Sequence, residues 1–532
     1  MKIGKAFAAT VAAVAGAVVF ATAGCAPDAT TSSSASGTAS SSKLVVAVPS
    51  NPEGLEPGTN LAEPIGSEII ANVFDTLVAW KSPGFTTLEG RLATGWTVSN
   101  NSTVFDFTLR DGVKFQDGTA FDAAAVKFSL ERTLKLNSYV EATLGLIKSI
   151  DVASPTKVTI TLSKPDPVFL SILAQPQSAI VSPTAVQKYG KDFDSHPVGT
   201  GPFSFVSATA DTDVVLTANK DYFRGAPKLG GIVFRIIPDA STRRLELESG
   251  GVDIVHQQGQ LAAVASEDIA ALRKNSDIKI TQVPSQIIRQ LEFNNSATSG
   301  PFTDIRVRQA IAHAIDYDGL IKGVLGGTAS RVYGPLTSNS RDFNPAVKDL
   351  APKYDPALAK KLLAEAGVNP ASLSTPIYTF QGDLWGAVAT YIQANLAAIG
   401  IKAPIQQLEF PTLRARQTSG QFSIALDGRQ PWYNDPDAHI TIGYLSSLAD
   451  TAMTFRMPKN AELDNLIQAA QQESNEKTRS DLYKQIQTKI VERVPGAYLF
   501  SPDLIVFERS NIKGLVINSA PPLNEYWGVS KG

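Results

Sequence analysis

The densest run of chemistry-bearing side chains is Asp427-Gly428-Arg429-Gln430-Pro431-Trp432-Tyr433-Asn434-Asp435-Pro436-Asp437-Ala438-His439. It mixes carboxylates, a guanidinium and aromatics over a backbone that proline and glycine keep irregular. It directly follows an apolar run, Phe422 to Leu426, that reads as a strand. Loops at the carboxyl ends of strands are where α/β folds collect ligand sites. Trp432 and Tyr433 would cover apolar groups there, and Asp427, Arg429, Asn434 and Asp435 would fix polar ones. A solvated turn with one buried tryptophan would use the same residue types.

Catalytic chemistry has little foothold. The chain contains no phosphate-loop pattern, no His-Glu-x-x-His and no Gly-x-Ser-x-Gly. The histidines, His196, His256, His313 and His439, lie far apart and at no metal-ligand spacing. His313 falls in a helical pattern and reads as packing; His439, inside the pocket candidate, is the one kept in view. Cys25 is the only cysteine, so the rest of the chain can form no disulfide and no thiolate site. No catalytic residue, metal or cofactor is expected. With 48 basic and 50 acidic side chains, no nucleic-acid surface is expected either.

The elements that must position the candidates alternate between helix and strand. Leu44–Val48 reads as a buried strand, and Ile69, Ile70, Val73, Phe74 and Leu77 as a helical pattern. Val104–Leu109 is a strand, with Val113-Lys114-Phe115 expected to pair back on it after the Asp111-Gly112 turn. Asp122 caps a helix bearing Val126, Leu130 and Leu134. Asp355-Pro356 opens a helix with the stripe Leu358, Leu362 and Ala366, and Trp385, Val388, Ile392, Leu396 and Ile399 recur at helical spacing before Gly400. Two later stripes, at 463–470 and 482–490, precede a return to strand at Leu499–Phe507 and Ile512–Ile517. These stripes are core. At 532 residues the chain should hold two or three domains.

The amino terminus carries Lys2 and Lys5 ahead of an apolar run from Ala6 to Ala23. Small residues before Cys25 favour a cleaved export signal over a membrane span. Asp28 to Ser42 is almost wholly Ser, Thr and Ala, which cannot bury a core. It would act as a tether with an end-to-end distance of roughly 20 Å.

His196-Pro197-Val198-Gly199-Thr200-Gly201-Pro202-Phe203 is the most specified loop in the chain, with two prolines fixing φ and two glycines free to take conformations closed to other residues. Pro-Val-Gly-Thr-Gly-Pro-Phe resembles the central signature of the family 5 extracellular solute-binding proteins, which deliver peptides and nickel chelates to ABC importers. Gly95-Trp96 and the turn Lys114-Phe115-Gln116-Asp117-Gly118 also resemble that family. So does Gln290-Leu291-Glu292-Phe293-Asn294-Asn295, an extended segment that in the family crosses from the first lobe to the second. The lone Cys25 after Ala-Gly resembles a bacterial lipidation site, with Thr22 where leucine is usual.

The resemblance implies an α/β, periplasmic-binding-protein-like type II fold: two lobes joined by a hinge, plus a small additional α+β domain. It divides the chain into a lipoprotein signal (1–24), a tether (25–43), a discontinuous first lobe (44–79, 197–290 and 508–532), the small domain (80–196) and the second lobe (291–507). Peptide-binding members match at Tyr433-Asn434-Asp435-Pro436 but carry, one residue earlier, an aspartate that pairs with the peptide's α-amino group. Here that position is Trp432, leaving Asp427 or Asp435 to replace the anchor, or a ligand with no free amine there. Phe410 falls where relatives have a pocket tryptophan. Arg414, Arg416 and Arg429 lie near positions that hold a peptide carboxylate. The implied function is a lipid-anchored receptor on the extracytoplasmic face. It takes an oligopeptide or dipeptide by lobe closure and passes it to a permease and ATPase complex, with no catalysis. A nickel or metal-chelate receptor, a sugar receptor with Trp432 stacked on a pyranose, an exported hydrolase and a structural surface lipoprotein are the rivals.

Overall fold

The structure, a computed structural model, describes residues 42–532 except 61–63, 83–86, 137–143, 257–262, 266–267, 297–299, 432, 449–454, 519–523 and the side chain of Asp383. The export signal, Cys25, the tether through residue 41 and Trp432 therefore lie outside the described residues.

One sheet organises the chain. From edge to edge it runs Ile405–Leu408, Ile377–Phe380, Ile424–Arg429, Ile288–Phe293, Gly496–Arg509, Ile254–His256, Lys43–Val48, Gly231–Ile236, Asp213–Ala218 and Phe203–Thr209. Gly496–Arg509 joins its two halves. Its early residues pair with Ile288–Phe293 and with Ala329–Arg331, and its later ones with Ile278–Pro284 and Ile254–His256. The partner changes at Pro502 and Asp503, where Ala329 opposes the first and Pro284 the second. Beside it, Ser285 to Ile287 carry the chain from Ile278–Pro284 into Ile288–Phe293. Two adjacent extended segments thus run from one half to the other.

In the half holding residues 288–430, Ile377–Phe380 lies parallel between Ile405–Leu408 and Ile424–Arg429. Parallel strands are covered by helices on their faces. The helices Ile305–Ala314, Pro356–Glu365 and Asp383–Ala398 supply that cover, with Val307, Ile311, Ile392 and Leu396 in one apolar cluster with Leu291, Phe293, Ile424 and Leu426. Pro356–Glu365 is turned by one residue from the expected stripe. Ala359 and Leu363 are its fully buried positions, and Leu362 and Ala366 flank them.

A separate antiparallel sheet has the order Ala93–Ser99, Val104–Leu109, Lys157–Leu162, Ile147–Ser154, with the helix Ala123–Leu136 against it. Val113-Lys114-Phe115 does not pair with Val104–Leu109, whose two sides are taken by Ala93–Ser99 and Lys157–Leu162. It folds back on its own turn instead, Phe115 N donating to Thr119 O at 2.8 Å and Phe121 N to Val113 O at 2.9 Å. That hairpin presents Gln116 to the 196–203 loop. Gln116 Nε2 donates to the carbonyls of Val73 (2.9 Å), Gly201 (3.2 Å) and Phe203 (2.9 Å), and its Oε1 accepts Gly199 N at 3.1 Å. Two stretches the sequence singled out separately are therefore one clamp, closing on the end of the helix Pro64–Val73.

Candidate functional site

The three parallel strands end together, and the candidate residues cluster at that carboxyl edge. Phe380 closes its strand, Phe410 opens the next helix, Phe410–Thr418, and Trp385 lies in the first turns of Asp383–Ala398. Their rings form a ladder. Phe380 stacks on Phe410 with centroids 5.4 Å apart and planes 15° off parallel, and meets Trp385 edge-on at 5.4 Å. The Arg414 guanidinium lies 5.1 Å from the Phe380 ring and 5.0 Å from that of Phe410. Phe410 is 56% exposed, the most open phenyl ring of the described core elements. An aromatic face held open by stacking from behind can cover part of a ligand at little ordering cost.

Asp427 is buried beneath this ladder. It accepts from Arg414 through both oxygens, from Gln417 Nε2 at 2.8 Å and from Gly428 N at 2.6 Å. Burial pushes its carboxyl up, but the Arg414 charge and these hydrogen bonds outweigh that and hold it below the ordinary carboxylate range. Gln417 Nε2 also reaches Glu292 at 3.0 Å, and Glu292 accepts Arg429 Nη2 at 3.1 Å. Burial and the neighbouring Asp427 charge push Glu292 up, against the pull of Arg429 and Arg414. Two carboxylates, two guanidiniums and an amide form one balanced chain, with the Arg429 guanidinium over the Phe455 ring at 4.8 Å.

The following loop is fastened elsewhere. Asp435 receives Arg479 at both oxygens, 2.8 and 2.7 Å, and caps Asp437 N at 3.0 Å. Tyr433 donates to Asp437 Oδ2 at 2.8 Å, and its ring joins the apolar cluster of the small antiparallel sheet. Asn434 Oδ1 accepts Gln286 Nε2 at 3.1 Å, from the segment between the two sheet halves. His439 is buried, its Nε2 facing the Gln286 carbonyl at 3.1 Å; burial and the Arg429 charge lower it to about 4, so its ring is neutral. Arg416 turns to Tyr378, 4.5 Å over its ring. The structure thus groups Phe410, Asp427, Arg414 and Arg429 at the strand ends, and places Tyr433, Asn434 and Asp435 on a second anchor point toward the small sheet. Among the described residues no cluster of three or more His, Cys, Asp or Glu side chains could hold a metal ion. No described helix is long and apolar enough to cross a membrane.

Phe380, Trp385, Glu292, Gln417 and Arg479 escaped the sequence reading as site residues, as did Arg289, whose guanidinium lies 5.2 Å from the Trp385 ring. The available signal was in Ile288-Arg289-Gln290-Leu291-Glu292-Phe293, a strand buried at every position that nevertheless carries charged and polar residues. Buried charge in a central strand demands a partner or a purpose.

The description "Bacterial extracellular solute-binding proteins, family 5 Middle" matches residues 87–448. The probable D,D-dipeptide-binding periplasmic protein DdpA of Escherichia coli K12 is 26% identical over 495 residues, covering 92% of this chain and 93% of the relative. The glutathione-binding protein GsiB of Salmonella paratyphi A is 31% identical over 498 residues, covering 89% and 92%. Among solved structures, the periplasmic binding protein DppA of Helicobacter pylori with the peptide STSA superposes with a TM-score of 0.79 at 28% identity, over 92% of this chain and 98% of that one. NikA of Brucella suis with Fe(III)-EDTA gives 0.83 at 26% identity, over 92% and 100%. With this fold, these matches and the joined halves of its sheet, the chain belongs to the family 5 bacterial extracellular solute-binding proteins and has their two-lobed type II architecture.

Proposed function

We propose that this protein is the substrate receptor of an ABC importer. It captures an oligopeptide or dipeptide between its lobes and hands it to a permease driven by an ATPase. The observation that carries this reading is the exposed Phe410, stacked from behind on Phe380 at the carboxyl ends of three parallel strands. The similarity to glutathione- and dipeptide-binding proteins supports a peptide as the solute. Phe410 and Trp432 would line the pocket, with Asp427, Arg429, Tyr433, Asn434 and Asp435 holding the surrounding loops in place. Cys25 would carry the lipid, tethering the body to the extracytoplasmic face of the membrane. The first lobe would comprise 44–79, 197–290 and the carboxyl end, the small domain 80–196 and the second lobe the remainder from 291. Their last boundary is best drawn inside Gly496–Arg509, where its partners change.

A receptor for a metal chelate is the second reading, favoured by the similarity to NikA with Fe(III)-EDTA. In that reading the metal arrives held by its own ligands. Thermal denaturation separates the two. A solute that binds only the folded form at a hundred times its Kd adds about 2.7 kcal/mol, a rise of roughly 3 °C for a chain of this size. Di- and tripeptides and glutathione should raise the melting temperature, and Phe410→Ala or Trp432→Ala should reduce that rise. A response to a nickel–histidine chelate and to no peptide would select the second reading.

A further inference from the structure

The strands in the two halves of the large sheet point their carboxyl ends at one another. Gly496–Arg509 runs from one half into the other, and Ile424–Arg429 runs parallel to it, both being antiparallel to Ile288–Phe293. Ile254–His256 is antiparallel to the later residues of Gly496–Arg509, and Lys43–Val48 is parallel to Ile254–His256. The strands ending at Arg429 and at Val48 therefore run toward the crossing at Pro502 and Asp503 from opposite sides. The loop that leaves Val48, residues 49–60, stands on the edge that faces Phe410 and Asp427.

Pro49, Pro52 and Pro57 take three backbone donors out of that loop. Its own bonds close one turn, Thr59 N and Asn60 N each donating to Glu56 O at 3.1 Å. Two segments far along the chain support it. Asp194 Oδ1 accepts successive amides, Leu55 N at 2.7 Å and Glu56 N at 2.8 Å, so two N–H groups converge on one anionic oxygen. Arg132 Nη1 donates to Glu56 Oε1 at 2.6 Å, and the same oxygen accepts Gly58 N at 3.2 Å. Glu56 is only 4% exposed, so its charge is turned inward to Arg132. The two supports are joined, because the Arg132 guanidinium lies 5.4 Å from the ring of Phe193, the neighbour of Asp194. The loop's glycines sit where the supports press closest. A Cβ on Gly54 would lie 3.0 Å from Asp194 Oδ1, and one on Gly58 2.9 Å from Leu136 Cδ1 and 3.3 Å from Thr133 Cα, on the helix Ala123–Leu136. Asn51 fastens the near end, exchanging hydrogen bonds of 2.6 and 2.9 Å with Asp211.

We infer that Asp194 and Arg132 are positioning residues of the solute site: acting through residues 51–60, they hold the first lobe's wall of the cleft in the shape that meets the solute. This rests on the receptor reading above, and it gives the small domain proposed there, which contains both residues, the task of bracing that wall. Loops carry function when a scaffold fixes them, and a wall ordered before binding leaves less ordering cost to the binding step. Both braces are charge-assisted hydrogen bonds, stronger than neutral ones. Losing one frees the loop without emptying an apolar cluster, so affinity should fall further than stability.

The probes are glutathione and the dipeptide Met-Leu, with binding read by calorimetry beside the ligand-free melting temperature and hydrogen–deuterium exchange of residues 49–60. Bound peptide should slow that exchange in the native protein. Asp194→Ala should speed it and weaken binding about tenfold or more, with the ligand-free melting temperature within about 3 °C of the native value. Asp194→Asn keeps an accepting oxygen in place and should recover most of the affinity. Arg132→Met keeps the stem against Phe193 and should weaken binding about threefold or more. Native affinity in Asp194→Ala would overturn the inference and leave the receptor reading standing. A ligand-free Asp194→Ala that melts more than about 5 °C lower would make Asp194 structural and overturn the inference whatever its affinity. If the native protein binds neither peptide, the peptide reading falls and a nickel–histidine chelate becomes the probe, with the same losses expected. Binding of none of the three overturns both.

Discussion

Gly199 and Gly201 are glycines for want of room. A Cβ on Gly199 would lie 2.4 Å from the Val73 carbonyl oxygen and one on Gly201 2.5 Å from the Val73 carbonyl carbon. Neither has a positive φ, so the conformational freedom that the sequence suggests for them is not what the loop uses. Gly112 is the opposite case, with φ of +73° and open space around its Cα. Gly199→Ala should therefore cost about 2 to 3 kcal/mol through forced backbone displacement, and Gly112→Ala about 1 kcal/mol through left-handed strain alone. Urea denaturation of the two variants checks this, and equal losses would contradict it. At this scale, residue type was legible and partnership was not. Asp427, Arg429 and Asp435 announce themselves as polar groups in a loop after a strand. That they are matched to Arg414, Glu292 and Arg479 depends on which distant segments the sheet brings alongside, and no local pattern carries that.

Helices were legible wherever an apolar stripe and a cap coincided. Asp304, Asp355 and Asn460 each accept a backbone N–H at the start of their helix, and the stripes behind them are buried. Strand pairing was less so, because alternation identifies a strand without naming its neighbour. Val113-Lys114-Phe115 has the composition of a returning hairpin strand, but Thr108 to Val104 already had both edges filled. Gly496–Arg509 reads from Leu499 as one buried strand, and nothing in its letters says that it serves two sheet halves in succession. The clamp formed by the displaced hairpin makes its own prediction. Gln116→Glu replaces a donor to three carbonyls by a carboxylate, which at neutral pH can only repel them. It should destabilise the protein by about 2 to 4 kcal/mol at pH 7, with part recovered near pH 4 as the new carboxyl protonates. Gln116→Ala should fall between that and the native protein, and melting curves at the two pH values test the order.

The small antiparallel sheet meets the loop that follows Ile424–Arg429 through a patch of buried charge, and stability is expected to depend on pH through that patch. Ser474 Oγ donates to Asn101 Oδ1 across this junction at 2.8 Å, and Tyr433 of the second lobe joins the small sheet's apolar cluster. Asp166, from the small sheet's side, feels the charges of Asp437 and Asp435, and the Arg479 guanidinium pulls the other way. Burial, then the Asp437 charge, pushes Asp166 up to about 7. In the unfolded chain it titrates near 4. The folded protein therefore holds this proton more tightly than the unfolded chain, and the sign follows: its contribution to stability is fully present below about pH 4, declines as pH rises, and is lost above about pH 7. Asp166→Asn keeps the shape and removes the ionisation. It should raise stability by up to roughly 4 kcal/mol at pH 8, with the gain shrinking steadily as pH falls toward 4. Because Asp435 and Asp437 belong to the loop that continues from the candidate site, ionisation of Asp166 should also loosen the hold of the small domain on that loop. Proteolysis rates of native and Asp166→Asn protein, measured with melting temperature across pH 4 to 8, read both effects together. A gain that does not change with pH would place this carboxyl outside the charge cluster and disconnect the junction from solvent pH.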